Sequence, residues 1–217
     1  MNVALWLRFA ARDLRSGLQG FWIFLTCLTL GTAAIAIIGS LSASIERGLD
    51  EQGQPLLGGD VEFSLIHREA TQAELNFIER NGTVSKVATL RAMAIAPDTT
   101  TLVEIKATDT AYPLYGRIIL ENNGSLQNAT AFQDGAHGVA ADPLLLGRLG
   151  VKLGDSIKVG TLEVAIRGII TTEPDRISDG FILGPRLLMS EDALKATGLI
   201  QPGSLVTYRY RVKLEND

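Results

Sequence analysis

The residues with the most obvious chemical potential lie in "LGRLGVKLGDSIKVG" (residues 146–160), which contains Gly154-Asp155-Ser156 followed by an apolar residue. Such a tripeptide can present a serine nucleophile for ester hydrolysis, and upstream "DGAH" supplies Asp134 and His137 at an Asp-x-x-His spacing. A serine triad works when the imidazole takes the hydroxyl proton, the carboxylate orients the imidazole and backbone donors hold the oxyanion. His67 and His137 are the two histidines, so the base would be one of them. In esterases built this way the serine follows a buried strand and the histidine comes later in the chain. Here the histidine precedes the serine, and "GRLGVKL" reads as a helix end and a turn. "SIKVG" then alternates as a strand does. The sequence therefore favours a tight turn, with glycine free to take positive φ and Asp155 accepting backbone N–H groups. Catalysis by Ser156 is the weaker reading, and no catalytic residue is expected.

Other chemistry finds little purchase. The glycines at 147, 150 and 154 match neither a phosphate-binding loop nor a dinucleotide fingerprint. Two distant histidines and the single Cys27 make no metal set or intrachain disulfide, so no cofactor and no metal are expected. Glu173–Arg176 ("EPDR") and Ser178–Gly180 ("SDG") concentrate charge in one loop, which reads as a solvated turn. Aromatic residues are 6% of the chain and the net charge is −4, concentrated outside the basic N-terminus. An acidic body without a basic stripe excludes nucleic acid as a natural partner.

The elements that carry these residues begin with an apolar segment. No residue from Ser16 to Ile45 is charged, and "FWIFLTCLTLGTAAIAIIGSL" (Phe21–Leu41) has the length needed to cross a hydrocarbon core. A cleaved signal peptide is the rival reading, but its apolar stretch is shorter, so a retained membrane helix over residues 18–45 is expected. Arg8, Arg12 and Arg15 precede the span, whereas Glu46, Arg47, Asp50 and Glu51 follow it. The positive-inside rule then places the N-terminus in the cytoplasm and residues 46–217 outside. Residues 1–17 pattern as an amphipathic segment on the inner surface, with Arg8, Arg12 and Arg15 towards membrane lipids. Thr32, Ala36, Ser40 and Ser44 form a stripe of small residues that lets another helix approach closely.

Beyond the span, short strands mix with capped helices. "DVEFSLI" (Asp60–Ile66) reads as a strand after the turn Gly58-Gly59. "TQAELNFIER" opens with a Thr71/Glu74 capping box. "VSKVATLRAMAIA" and "TLVEIKATD" flank "PDTT" as a hairpin. "DPLLLGRLG" is a short helix, "DSIKVG" and "TLEVAIRGII" a second hairpin, "SEDALKATGL" a capped helix and "SLVTYRYRVKL" a long final strand. The expected class is α+β.

Six phrases in order carry a resemblance over essentially the whole chain: "RDLRSGLQGFWIFLTCLTLG", "LLGGDVEFSL", "YPLYG", "DPLLLGRLGVKLGDSIKVG", "EPDRISDGFILGPRLLMS" and "TGLIQPGSLVTYRYRVKL". Together they resemble the FtsX/MacB-like ABC-transporter permeases, most of all the ten-helix YbbP branch. The resemblance implies a transmembrane helix followed by a MacB-like periplasmic core domain, as the N-terminal part of a larger permease in the bacterial inner membrane. It further implies a cytoplasmic ABC ATPase partner, additional permease helices or a second permease copy, and lipid, lipoprotein or other envelope substrates moved by mechanotransmission. No phosphate-binding loop is present, so hydrolysis would come from the partner. A single-pass anchored adaptor that recruits an envelope protein is the alternative.

Overall fold

The computed structural model describes the backbone of residues 3–121, 124–175 and 184–215; within α1 it describes the side chains of Trp6, Phe9, 21–45 and Leu57. The chain divides into two compact units, residues 1–52 and 53–217.

The first element is one long helix, α1 (Val3–Leu57). Its apolar part, Phe21–Ile45, is 25 residues with a mean hydropathy of 2.2, long and apolar enough to cross a membrane. At 1.5 Å per residue this is about 38 Å of helix, against a hydrocarbon core of about 30 Å. Hydroxyls inside the span return their hydrogen bonds to the helix backbone: Thr32 Oγ1 donates to Leu28 O (2.9 Å) and Ser44 Oγ to Ser40 O (2.8 Å). That arrangement satisfies these hydroxyls without water in an apolar medium. Gly48, Gly53 and Pro55 are stop signals by composition, yet the helix continues past Ile45 to Leu57. Extending an existing helix requires fixing only one residue per added bond, which is far easier than nucleating one.

The second unit is built on ten described strands with four short helices. The strands are β1 (Val61–Ile66), β2 (Gly82–Ile95), β3 (Thr100–Thr108), β4 (Ile119–Leu120), β5 (Phe132–Gln133), β6 (Ala136–Ala141), β7 (Ser156–Val159), β8 (Leu162–Thr172), β9 (Arg186–Ser190) and β10 (Thr207–Leu214). The helices are α2 (Gln72–Glu79), α3 (Leu126–Thr130), α4 (Pro143–Leu149) and α5 (Glu191–Ala196). The sheet runs β1-β10-β2-β3-β9-β6-β8-β4, with β7 pairing both β2 and β8. That double pairing closes β2, β3, β9, β6, β8 and β7 into a ring, from which β10 and β1 extend along the first half of β2. Two pairings are parallel, β3 with β9 and β6 with β8. The mixture of parallel and antiparallel neighbours with unordered helices makes the α+β class expected from the sequence.

The main core lies on one face of these strands. Val103, Ile105 and Ala107 of β3, Leu187 and Met189 of β9, and Tyr208, Tyr210 and Val212 of β10 are all buried there. Leu145 and Leu149 of α4 and Leu194 of α5 close it, each buried leucine contributing about 1.5–3 kcal/mol. The helices start where the sequence places their caps. Thr71 and Glu74 form the reciprocal capping box of α2, while the Asp142 and Ser190 side chains accept backbone N–H groups at the starts of α4 and α5. Central strands β6 and β9 are the elements the sequence pattern does not announce. β6 is rich in alanine and glycine, and β9 is a short apolar run, so their strand state is set by neighbours rather than propensity.

Candidate functional site

Alternation places polar residues on the opposite face of the same strands. Glu104 and Lys106 of β3, Arg186 of β9, Arg209 and Arg211 of β10 and Glu62 of β1 all fall out of phase with the apolar core. The register then sets partners side by side: Glu62 lies opposite Arg211, and Glu104 lies between Arg91 of β2 and Arg186 of β9. Such a face would ordinarily be hydrated. Here the chain after β3 folds over part of it: Tyr112, Leu120, Leu126 and Ala129 pack on Val87, Ala140 and Leu188 in a second apolar cluster.

The segment after β8 completes the cover with two carboxylates. Glu173 Oε1 accepts from Lys106 Nζ at 2.8 Å, and its Oε2 lies 3.3 Å from Arg186 Nε. Asp175 Oδ2 accepts from Lys106 Nζ at 2.8 Å and from Arg211 Nη1, while its Oδ1 takes the Tyr112 hydroxyl at 2.5 Å. Arg186 Nη1 donates to Glu104 Oε1 at 2.8 Å, and Arg211 Nε to Glu62 Oε2 at 2.9 Å. Lys106 Nζ also stands 4.8 Å from the Tyr112 ring centroid. Lys106, Asp175 and Arg186 have no exposure to solvent, and Arg211 has 1%. The expectation that "EPDR" forms a solvated turn is therefore wrong for Glu173 and Asp175. Three buried cations on the sheet face attract these carboxylates out of water, which a one-dimensional charge count does not show. Arg176 and Ser178–Gly180 lie outside the described residues.

This network joins the two ends of the domain. Gly58, which follows α1, has φ +75, and a Cβ there would lie 3.1 Å from both Arg211 Nη1 and Asp175 Cβ. The first strand then pairs with the last, Val61 opposite Val212 through Ile66 opposite Thr207. Asp60 Oδ2 ties the same corner by accepting from Leu214 N (2.9 Å) and from the Tyr115 hydroxyl (2.8 Å). Burial and that carboxylate push the Tyr115 hydroxyl pKa up from its ordinary value. Chemically, the arrangement is a set of paired ions. Its acids and bases are engaged with one another except at Glu104 Oε2, which has no hydrogen-bond partner, and what it can do is hold β1, β3, β9, β10 and the segment after β8 together.

The structure separates the esterase candidates. Gly154 has φ +95, and Asp155 Oδ2 accepts from Lys152 N at 2.9 Å, so the tripeptide is the turn that launches β7. Ser156 pairs with Ala165 of β8, whereas His137 pairs with the adjacent Val164. Neighbouring residues of a strand point to opposite faces, which puts the serine and the imidazole on opposite sides of the sheet. Asp134 sits in the β5–β6 turn, and His137 Nδ1 is buried with no hydrogen-bond partner; its ring packs at 4.8 Å from Phe132. Among the described residues no cluster of His, Cys, Asp and Glu is arranged to hold a metal. Thr32, Ala36, Ser40 and Ser44 are exposed on α1. The side chains of Arg8, Arg12 and Arg15 lie outside the described residues.

The ring of strands, its paired terminal strands and the preceding apolar helix can be set beside known proteins. Residues 21–214 match the family model described as the MacB-like periplasmic core domain. The chain belongs to that family. This MacB-like chain is 35% identical over 185 residues to a protein of Escherichia coli (strain K12) named "Uncharacterized ABC transporter permease YbbP". The alignment covers 85% of this chain and 22% of the relative, so the chain spans about a fifth of that protein's length. Among solved structures, the MacB-like chain is similar to the extracellular domain of the noncanonic ABC-type transporter YknZ from Gram-positive bacteria, with TM-score 0.45 and 14% identity over 68% of this chain and 74% of that one. It is also similar to the periplasmic region of MacB from Actinobacillus actinomycetemcomitans, with TM-score 0.39 and 9% identity over 73% and 78% of the two chains.

Proposed function

We propose that the chain is the N-terminal part of an ABC-transporter permease of the bacterial inner membrane, in which residues 18–45 cross the bilayer and residues 46–217 form the periplasmic domain. The observation that carries this reading is the 35% identity to a permease across 85% of the chain. In this reading a cytoplasmic ATPase supplies the hydrolysis, and movement of the membrane helices is passed to a domain that performs no chemistry itself. The pairing of β1 with β10 supports it, because displacement at Gly58 reaches the last strand through one ladder and one ion network. Thr32, Ala36, Ser40 and Ser44 would face further permease helices or a second copy, and Arg8, Arg12 and Arg15 the lipids of the inner surface. The substrates fitting such a device are lipids, lipoproteins or other envelope components.

Co-purification of the natural gene product from membranes tests the reading. An ABC ATPase should accompany it, and ATP hydrolysis by the complex should change when Asp175 is replaced by asparagine. Loss of the gene should alter particular envelope lipids or lipoproteins. Recovery of an envelope protein with no ATPase would overturn the permease reading in favour of the anchored adaptor. Orientation is tested in intact cells by a membrane-impermeant maleimide: with Cys27 replaced by alanine, a cysteine at Ser204 should react and one at Arg8 should not.

A further inference from the structure

β2 changes partners along its outer edge. β10 accompanies it as far as Thr89, opposite Thr207, and β7 joins only at Ala94, opposite Val159. Residues 90–93 between them have no strand partner on that side. The break opens into a groove of about 420 Å³, lined by Thr89 and Arg91 of β2, Glu104 of β3, Arg209 of β10 and the loop residues Ser204 and Leu205. The loop wall is held in place: Ser204 Oγ donates to Leu199 O (2.8 Å) and accepts from Gln201 N (2.9 Å), and His67 N donates to Val206 O (2.9 Å).

Two side chains that line this groove each carry an oxygen left without a hydrogen-bond partner. Glu104 is 4% exposed; its Oε1 takes Arg186 Nη1, while its Oε2 is buried with no hydrogen bond. Thr89 Oγ1 is likewise buried without a partner. A buried carboxylate oxygen lacking a donor is costly, and natural proteins keep such a group where a ligand or an ordered water completes it. Beside them, Arg91 is exposed, directly opposite Glu104 in the ladder, and makes no ion pair among the described residues. The groove thus offers unsatisfied acceptors next to an unengaged guanidinium. Its complement has N–H donors and an anionic group on a short linker.

We infer that the groove at the β10–β7 break binds a small zwitterion, an ammonium carrying N–H donors joined to a phosphate or carboxylate. The ammonium donates to Glu104 Oε2 and Thr89 Oγ1, and the anion pairs with Arg91 through a charge-assisted fork. Arg209, whose Nε lies 3.4 Å from Glu62 Oε1, adds positive potential at the rim. The inference uses only the strand domain's own residues and stands apart from the permease reading.

Calorimetric titration of the full chain in a maltoside detergent tests it with O-phosphoethanolamine, phosphocholine and inorganic phosphate. O-phosphoethanolamine should bind saturably. Phosphocholine, whose quaternary nitrogen has no N–H, and phosphate alone should each bind about tenfold more weakly or worse. Arg91→Gln should lower affinity by about tenfold while leaving the thermal midpoint unchanged, because this side chain holds no structural partner. That variant keeps the test valid even where Glu104→Gln fails to fold. Short-chain dihexanoyl phosphatidylethanolamine below its micellar concentration separates the sources: tighter binding than O-phosphoethanolamine points to a lipid headgroup, and equal or weaker binding to a free metabolite. Absence of saturable binding at about 10 mM ligand, equal affinity for phosphocholine, or an Arg91→Gln variant that binds normally would overturn the inference and leave Glu104 satisfied by water.

Discussion

Asp175 Oδ2 lies 2.8 Å from Lys106 Nζ, although the two residues are 69 positions apart and neither has solvent exposure. The same carboxylate accepts from Arg211 and Tyr112, so it neutralises the sheet face at the point where β3 and β10 are covered by the segment after β8. Removing one member of such a set strands the others as buried charges. Asp175→Asn should therefore destabilise the domain by about 3–5 kcal/mol. Chemical denaturation followed by circular dichroism measures it, and a loss below about 1 kcal/mol, the ordinary worth of an exposed pair, would show that the network is hydrated in solution.

Gly58 and Gly154 both hold positive φ, but their surroundings differ. A Cβ at Gly154 meets nothing within 4 Å, whereas one at Gly58 meets Arg211 and Asp175. Gly154→Ala should lose about 1–2 kcal/mol, the backbone cost of a left-handed residue. Gly58→Ala should lose more, because the added methyl also pushes on the ion network. Equal losses, measured side by side by thermal unfolding, would remove the claim that this junction rests on Arg211.

Ser156 is exposed at the start of β7, and His137 lies on the opposite face of the sheet. Ser156→Ala should leave thermal stability within about 0.5 kcal/mol of the parent and any hydrolysis of p-nitrophenyl acetate unchanged. A serine-dependent rate would restore the esterase reading.

Hydrogen bonds from Arg68 and from the Thr71 backbone and hydroxyl hold the Glu74 carboxyl at about 2, below its ordinary 4.5. A folded-state value below the unfolded one adds stability that is complete above pH 4.5 and is lost as pH falls through about 2. Glu74→Gln should accordingly matter at neutral pH and cease to matter near pH 2. The effect is small, since both partners are exposed and screened by salt. Thr71→Ala, which removes the cap itself, should cost about 1 kcal/mol at neutral pH and less near pH 2, where its hydroxyl no longer meets a charged Glu74. A parent and Glu74→Gln variant whose difference stays constant from pH 7 to pH 2 would contradict the capping-box geometry.

Much of this protein was settled by local pattern. A long uncharged run specifies a spanning helix because an apolar medium rewards it irrespective of neighbours. Thr71, Asp142 and Ser190 mark helix starts because capping is satisfied within one turn, and the Gly154-Asp155 turn is equally local. Strict alternation in "VEIK" and "YRYRV" already separates an apolar face from a polar one. What no local pattern carries is whether that polar face stays wet. Glu173 and Asp175 are drawn from a charged loop into the interior by Lys106, Arg186 and Arg211, which come from three other strands. Ring closure through β7, and with it the unpaired stretch of β2 beside Glu104, likewise depends on contacts between distant segments. Burial of charge and closure of a sheet are properties of partners brought together by folding, so they exist only once the chain has found its tertiary arrangement.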